Sequence, residues 1–175
     1  MVRIRQIKDS RTTWGFSLIE LLIVIVLIGL LSVIGFGYYQ TYLMKGRDSQ
    51  RKSDLQNIRS GLEMFRADQN TYPASVISAG KYLIAACDPS SCLTATQCNW
   101  NSIWSCGTTG SVYMQKLPKD PRSGTTPYDY HYTLNGSTYT LEACLENAND
   151  PDWTTPGSAW GTSCISGKIY QLTNP

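Results

Sequence analysis

Gly15-Phe16-Ser17-Leu18-Ile19-Glu20 leads directly into an apolar run, and from Leu21 to Met44 the chain carries 24 residues without a charged side chain. At about 1.5 Å per residue, a helix of that length covers the roughly 30 Å hydrocarbon thickness of a bilayer. The stretch is therefore a membrane-spanning candidate. Two features separate it from an ordinary anchor: Glu20 stands at its N-terminal edge, and Gly15-Phe16 sits between a short basic segment and the run. Ser17-Leu18-Ile19-Glu20 also fits the Ser-x-x-Glu capping box, in which hydroxyl and carboxylate satisfy N–H groups of a helix's first turn.

Working outward, 175 residues suffice for one modest domain beyond this helix, and a hydrophobic content of 42% is ordinary for a globular chain. The segment Met1 to Gly15 holds Arg3, Arg5, Lys8 and Arg11 against Asp9, so its removal leaves 11 basic and 12 acidic side chains. The slight overall basicity belongs to that segment, and a nucleic-acid role argued from net charge loses its basis. DNA contact by Arg, Lys and Tyr of the soluble part rests on residue type alone, which plain solubility explains equally well.

Cys87, Cys92, Cys98, Cys106, Cys144 and Cys164 all follow the apolar run. An even count in that position reads as disulfides in an oxidising compartment, so the soluble part is expected outside the cytoplasm. The spacings within Cys87 to Cys106 lack the C-x-x-C knuckle of zinc sites. Six cysteines allow 15 connectivities, among which Cys144 with Cys164 is favoured and the other four are left to staple the middle of the chain. Basic residues do not decide orientation, because Lys45, Arg47, Arg51 and Lys52 balance the four on the other flank.

Tyr38, Tyr39 and Tyr42, followed by Lys45 and Arg47, have the composition of a membrane-interface belt. Beyond it Leu55, Ile58, Leu62 and Phe65 recur at steps of three, four and three, one face of an amphipathic helix that should pack on a sheet. Asp48 with Lys52 and Arg59 with Glu63 are spaced as i,i+4 pairs on its solvated flank. Asn70-Thr71-Tyr72-Pro73 ends the element, since the residue before proline disfavours helical φ/ψ. One helix of about 50 residues results. Gly29, Gly35 and Gly37 weaken it at roughly 1 kcal/mol each relative to alanine, a pattern that also permits close helix packing.

The loop 74–117 is rich in Ser, Thr, Gly and Cys, and within it Val76 to Ala86 reads as a helical turn or two. Trp100, Trp104 and Tyr113 give the loop enough aromatic mass for a small local core or an exposed patch. Strands are expected near 128–134 and 138–145, joined through Asn135-Gly136, with a third near 168–172. The fold class is α+β: a long N-terminal helix packed on a small antiparallel sheet.

Catalytic signals are absent. His131 is the sole histidine, lies in a predicted strand without a nucleophile motif, and no Walker loop, G-x-S-x-G or H-E-x-x-H occurs. Asn147, Asn149, Asp150 and Asp152 gather oxygen donors that suit calcium and also suit turns; no cofactor and no metal site is assigned on that basis.

Taken together, Gly15, Phe16, Glu20 and the apolar run resemble the N-terminal signature of type IV pilins and pseudopilins, the class III signal cut by prepilin peptidase. Leu117-Pro118-Lys119-Asp120-Pro121 independently resembles the Leu-Pro-x-Asp-Pro element before the sheet of many members of that family. The resemblance implies a leader at 1–15 removed after Gly15, N-methylation of Phe16, a transmembrane and filament-core helix at 16–44, and a disulfide-stapled head at 45–175. It makes Glu20 the assembly residue, compensated by the new ammonium of a neighbouring subunit. A carboxylate at membrane depth costs on the order of 3 kcal/mol, and an unpaired one would penalise a wrong register.

The resemblance further implies a precursor spanning the inner or cytoplasmic membrane once, then a homo-oligomeric surface filament, with prepilin peptidase and the pilus assembly platform as partners. Gly29, Gly35 and Gly37 become candidates for partial unwinding on assembly, although many relatives have proline where Gly37 stands. Related pseudopilins bind calcium in a C-terminal loop that this chain does not match closely. A pilus subunit is the primary reading and a pseudopilin of type II secretion the alternative. An alternative of another class is a secreted or anchored binding domain with an ordinary signal cut near Gly35 to Gly37.

Overall fold

The computed structural model describes residues 15–88, 90–93, 96–107, 110–124, 128–157, 164 and 166–174, with the side chains of 34–37 excepted. Of the expected leader, only Gly15 falls within the described residues. Helix α1, Leu18–Gln69, contributes to two compact units, one ending at Gln40 and one spanning Thr41–Pro175.

In the first unit α1 is apolar on every side, and Leu18, Ile19 and every Leu, Ile and Val from Leu21 to Val33 are exposed. A helix without a polar face has no favourable orientation in water and requires lipid or other helices around it. Among the described residues no single helix is long and apolar enough by itself to cross a membrane; Leu18–Val33 and Tyr38–Gln69 meet that test only together. The helix runs through Gly29, Gly35 and Gly37, and a Cβ added at Gly29 would meet nothing within 4 Å.

In the second unit the predicted stripe is the core. Leu55, Ile58, Leu62 and Phe65 are all fully buried, each contributing about 1.5–3 kcal/mol through removal from water. The helix stops where Asn70 turns left-handed (φ 56°), its N–H bonded to the Arg66 carbonyl at 2.8 Å. Strands β5 (His131–Asn135), β6 (Thr138–Cys144) and β7 (Ile169–Thr173) form an antiparallel sheet in that order. On β6, Tyr139, Leu141 and Ala143 point into the same cluster as the helix stripe, while Thr138 and Thr140 alternate away from it. Tyr128 and Tyr130, expected within the first of these strands, precede it.

The loop 74–117 is more ordered than its composition suggests. Val76 to Ala86 is a β-hairpin and not a helical turn: β1 (Ser75–Ser78) pairs with β2 (Lys81–Ile84). Ala79 and Gly80, with φ of 51° and 76°, form the tight turn whose twist matches paired strands. A second hairpin, β3 (Trp104–Cys106) with β4 (Ser111–Met114), brings Trp104 and Tyr113 onto Phe65 at centroid distances of 5.8 and 5.1 Å. These aromatics thus join the main core and form neither a separate one nor an exposed patch. Gly61 permits this approach, because a Cβ there would meet Trp104 and Met114 side-chain atoms at 3.1 Å. Disulfides Cys87–Cys98, Cys92–Cys106 and Cys144–Cys164 complete the unit.

Candidate functional site

The N-terminal site consists of Gly15, Phe16 and Glu20 at the start of α1. Phe16 is 85% exposed, and Glu20 Oε2 accepts the Ser17 N–H at 3.1 Å. The carboxylate arm of the capping box is therefore in place, since Glu20 lies three residues beyond Ser17 and one helical turn returns it to the helix start.

The head carries a polar core that its charge pattern does not announce. Arg51 is fully buried on α1, beside the apolar stripe. Its guanidinium donates through Nε and Nη2 to Asp120, at 2.6 and 3.0 Å, and through Nη1 to Asp48 at 2.6 Å. Nη2 also lies 2.8 Å from Glu146 Oε1. Glu146 in turn receives Arg47 through two bonds, at 2.8 and 2.6 Å, and Arg122 at 3.2 Å. Asp48 accepts the N–H groups of Glu146 and Asn147. Tyr128 stacks under both Arg51 and Arg122, at 4.9 and 4.5 Å.

Three arginines thus face three carboxylates drawn from the helix, the Leu-Pro-x-Asp-Pro turn and the end of β6. Burial alone would raise the Glu146 carboxyl, but the hydrogen bonds from Arg47 and Arg51 prevail and hold it down at about 2. For Arg51 burial opposes the charge while Asp120, Glu146 and Asp48 favour it, with a net upward shift. The arrangement ties three distant segments together and contains no nucleophile or proton donor placed for catalysis.

The second polar element is the loop after β6. Asp48 pairs with Arg51 and not with Lys52; Lys52 reaches Asp150 and Asp152 instead. Glu63 likewise accepts the Tyr72 hydroxyl at 2.9 Å and the Tyr139 hydroxyl at 3.3 Å. His131 is buried against the Tyr82 ring at 4.8 Å, and that burial lowers its imidazole to about 4. It belongs to the packing of β2 against β5.

Asp120 stands out in the sequence through its turn, and Asp150 and Asp152 through their composition, whereas Arg51 as the partner of Asp120 and Lys52 as the partner of Asp150 and Asp152 do not. The available signal is position: Arg51 lies four residues before Leu55 and seven before Ile58, on the line of the apolar stripe and one turn ahead of it.

Comparison with known proteins finds sequence similarity to a type II secretion protein and to fimbrial proteins. The chain is 26% identical to "Type II secretion system core protein G" of Pseudomonas aeruginosa over 122 residues, 70% of this chain and 75% of the relative. It is 33% identical to "Fimbrial protein EcpC" of Eikenella corrodens over 66 residues, 38% of this chain and 43% of the relative. It is 39% identical to "Type IV major fimbrial protein FimA" of Dichelobacter nodosus over 54 residues, 31% of this chain and 35% of the relative. The chain spans less than half the length of these two fimbrial relatives. No family model and no solved structure matches it.

Proposed function

We propose, from the premise that the chain belongs to the type IV pilin and pseudopilin family, that it is a structural subunit of a type IV pilus filament. The observation that carries this reading is the helix from Leu18 to Val33, whose large apolar side chains lie exposed. Such a surface is stable only in lipid or among like helices, which are the environments of a precursor and of a filament core.

In this reading cleavage follows Gly15, Phe16 is methylated, and Glu20 pairs with the new N-terminal ammonium of a neighbouring copy. The precursor spans the inner or cytoplasmic membrane once with its head outside, where the cysteines oxidise. Prepilin peptidase and the assembly platform are its processing and assembly partners, and its role is to bind neighbours without catalysis. Partial unwinding around Gly29, Gly35 and Gly37 accommodates the passage from bilayer to filament.

A second reading, a pseudopilin of type II secretion, is favoured by the extent of the match to the secretion relative. One experiment separates the two. Surface filaments are sheared and analysed by mass spectrometry in the parent and in a strain lacking the chain. A pilus subunit appears as a main component beginning at methyl-Phe16, and its deletion removes filament mass. Unchanged filament mass with lost export of a secreted protein selects the pseudopilin. A mature start near Phe36 or Tyr38 overturns both.

A further inference from the structure

The turn joining β5 to β6 carries chemistry that the filament reading does not use. Asn135 is the last residue of β5 and pairs with Thr138, so Gly136 and Ser137 alone form the loop. Gly136 has φ of 63°, the left-handed conformation that a two-residue hairpin with glycine first requires. Every residue from Asn135 to Thr138 is exposed. The side-chain amide of Asn135 has no hydrogen-bond partner among the described residues, and neither has the Gly136 N–H. A Cβ built on Gly136 would meet nothing within 4 Å, so the space over this peptide bond is open.

Such a turn allows an asparagine to react with its own backbone. The Gly136 nitrogen, on losing its proton to hydroxide, attacks Cγ of Asn135; the new C–N bond closes a succinimide ring and the amide group leaves as ammonia. Water then opens the ring at either carbonyl, giving aspartate or isoaspartate. Glycine permits the attack, because without a Cβ its nitrogen is unshielded and both signs of φ are accessible during closure. Of the asparagines in the chain only Asn135 precedes glycine. Asn149, also exposed, is followed by Asp150, and Asn147 engages its Oδ1 with the Asn149 N–H at 3.2 Å. Ring closure rotates the backbone between Asn135 and Gly136, which loads the final rung to Thr138 and the bond from Asn174 Nδ2 to the Ser137 carbonyl at 3.3 Å. A terminal rung beside an exposed loop opens at small free energy, so the hairpin opposes the reaction weakly.

We propose that Asn135 is a self-modification site, at which each copy of the chain passes from a neutral to an anionic turn as it ages. Conversion takes the balance beyond Gly15 from 12 acidic against 11 basic side chains to 13 against 11. The new carboxylate stands on the polar outer face of the sheet, opposite Thr138 and in line with Thr133, Thr140 and Glu142. The isoaspartate product also lengthens the main chain ahead of the turn, since the chain then runs through the former side chain.

The test uses the full chain purified in detergent, and its result does not depend on whether that chain builds a pilus or a pseudopilus. The protein is aged at neutral and at mildly alkaline pH, digested and mapped by mass spectrometry, with isoaspartate read by an isoaspartyl methyltransferase. The peptide holding Asn135 should exchange its amide for a hydroxyl several-fold faster than the peptides holding Asn101, Asn147 and Asn149. Its rate should rise with hydroxide concentration, and isoaspartate should accompany aspartate. In denaturant the same peptide should convert at most about tenfold faster, equivalent to about 1.4 kcal/mol for opening the turn. N135Q, whose longer side chain disfavours the ring, should keep its amide; the wild-type time course and its denatured control decide the matter even where that variant fails to fold. Conversion of Asn135 no faster than that of the other asparagines overturns the proposal, as does stronger protection in the folded chain or loss of the N135Q amide at the wild-type rate. So does a saccharide on Asn135, since Asn135-Gly136-Ser137 also has the N-x-Ser acceptor pattern.

Discussion

Arg51 and Asp120 meet through two parallel hydrogen bonds, with neither side chain exposed, and join residues 69 positions apart. A buried charge is tolerable only while its partners stay in place, because its hydration is already lost. The pair fixes the Pro118 to Pro121 turn to α1 just before the chain enters the sheet. Arg51→Met is predicted to destabilise the head by about 3–5 kcal/mol, the range for removing one side of a buried pair. Asp120→Asn, which keeps an acceptor, should cost less. Denaturant unfolding of both variants and of the double variant gives the coupling; additive losses would show that the two residues act independently.

Glu146 predicts an acid limit. Its carboxyl, held at about 2 against an ordinary 4.5, stays ionised in the folded state at pH values where the unfolded chain is protonated. The resulting stability is fully present above pH 4.5 and lost as pH falls from 4.5 towards 2, at most about 3 kcal/mol. Asp54, raised by burial despite the Tyr130 hydroxyl bond, acts in the opposite sense, so the readout is a difference between variants. Glu146→Gln should be less stable than wild type at pH 6, with the gap narrowing below pH 4.5. A constant gap would show that the carboxylate's charge contributes nothing.

His131 predicts a separate window at higher pH. Buried beside Tyr82, the imidazole is neutral in the folded state down to about pH 4, whereas the unfolded chain protonates near 6.5. Protons therefore favour unfolding between these values, and stability falls as pH drops from 6.5 to 4 by at most about 3 kcal/mol. Replacement by phenylalanine preserves a ring against Tyr82 and removes the proton. Melting temperatures between pH 7 and 4.5 should decline less in His131→Phe than in wild type; equal slopes would reject the assignment.

These two residues show where sequence reading reaches and where it stops. The steps of three, four and three from Leu55 to Phe65 mark a buried stripe because a helix face repeats locally, and Asn135-Gly136 marks a hairpin because a tight turn demands residues tolerant of positive φ. Ala79-Gly80 makes an equivalent turn with a residue that does not advertise it, so β1 and β2 pass for helix. Local rules assign Arg51 and Lys52 no distant partner, yet Asp120 lies 69 residues from Arg51, and Asp150 and Asp152 lie 98 and 100 residues from Lys52. Local spacing assigns Asp48 to Lys52 and Arg59 to Glu63, but Asp48 takes Arg51, three residues on, together with two backbone N–H groups from the segment after β6, and Glu63 takes the hydroxyls of Tyr72 and Tyr139. At the N-terminus the decisive information is a combination of residues, since Glu20 alone is an ordinary cap.

Disulfide connectivity is open to direct measurement. Cys87–Cys98 and Cys92–Cys106 interleave between the end of β2 and the end of β3, and Cys144–Cys164 ties the end of β6 to the segment before β7. Non-reducing peptide mapping should recover these three pairs and no free thiol. Cys144 is fully buried, and closing a loop of 20 residues stabilises a domain by about 3 kcal/mol. Replacing Cys144 and Cys164 together with serine should therefore lower head stability by about 2–4 kcal/mol. A mapped pair between the two groups of cysteines would refute the connectivity.

Glu20 offers the sharpest discrimination, because its two roles require different things of one side chain. As a cap it needs only an acceptor for the Ser17 N–H, at 3.1 Å in the structure. As an assembly residue it needs a negative charge to pair with a neighbour's ammonium in an environment of low dielectric, where an unpaired ammonium is costly. Glu20→Gln keeps the acceptor and removes the charge; Glu20→Ala removes both. If capping is the whole role, the glutamine variant should assemble normally, and alanine should cost about 1 kcal/mol of local helix stability. If the charge is required, both variants should be inserted and cleaved normally yet yield few or no filaments, with glutamine as defective as alanine. Filament mass relative to processed membrane subunit measures the outcome. Normal filaments from Glu20→Gln would remove the charge from the assembly mechanism and leave Glu20 as the cap of α1.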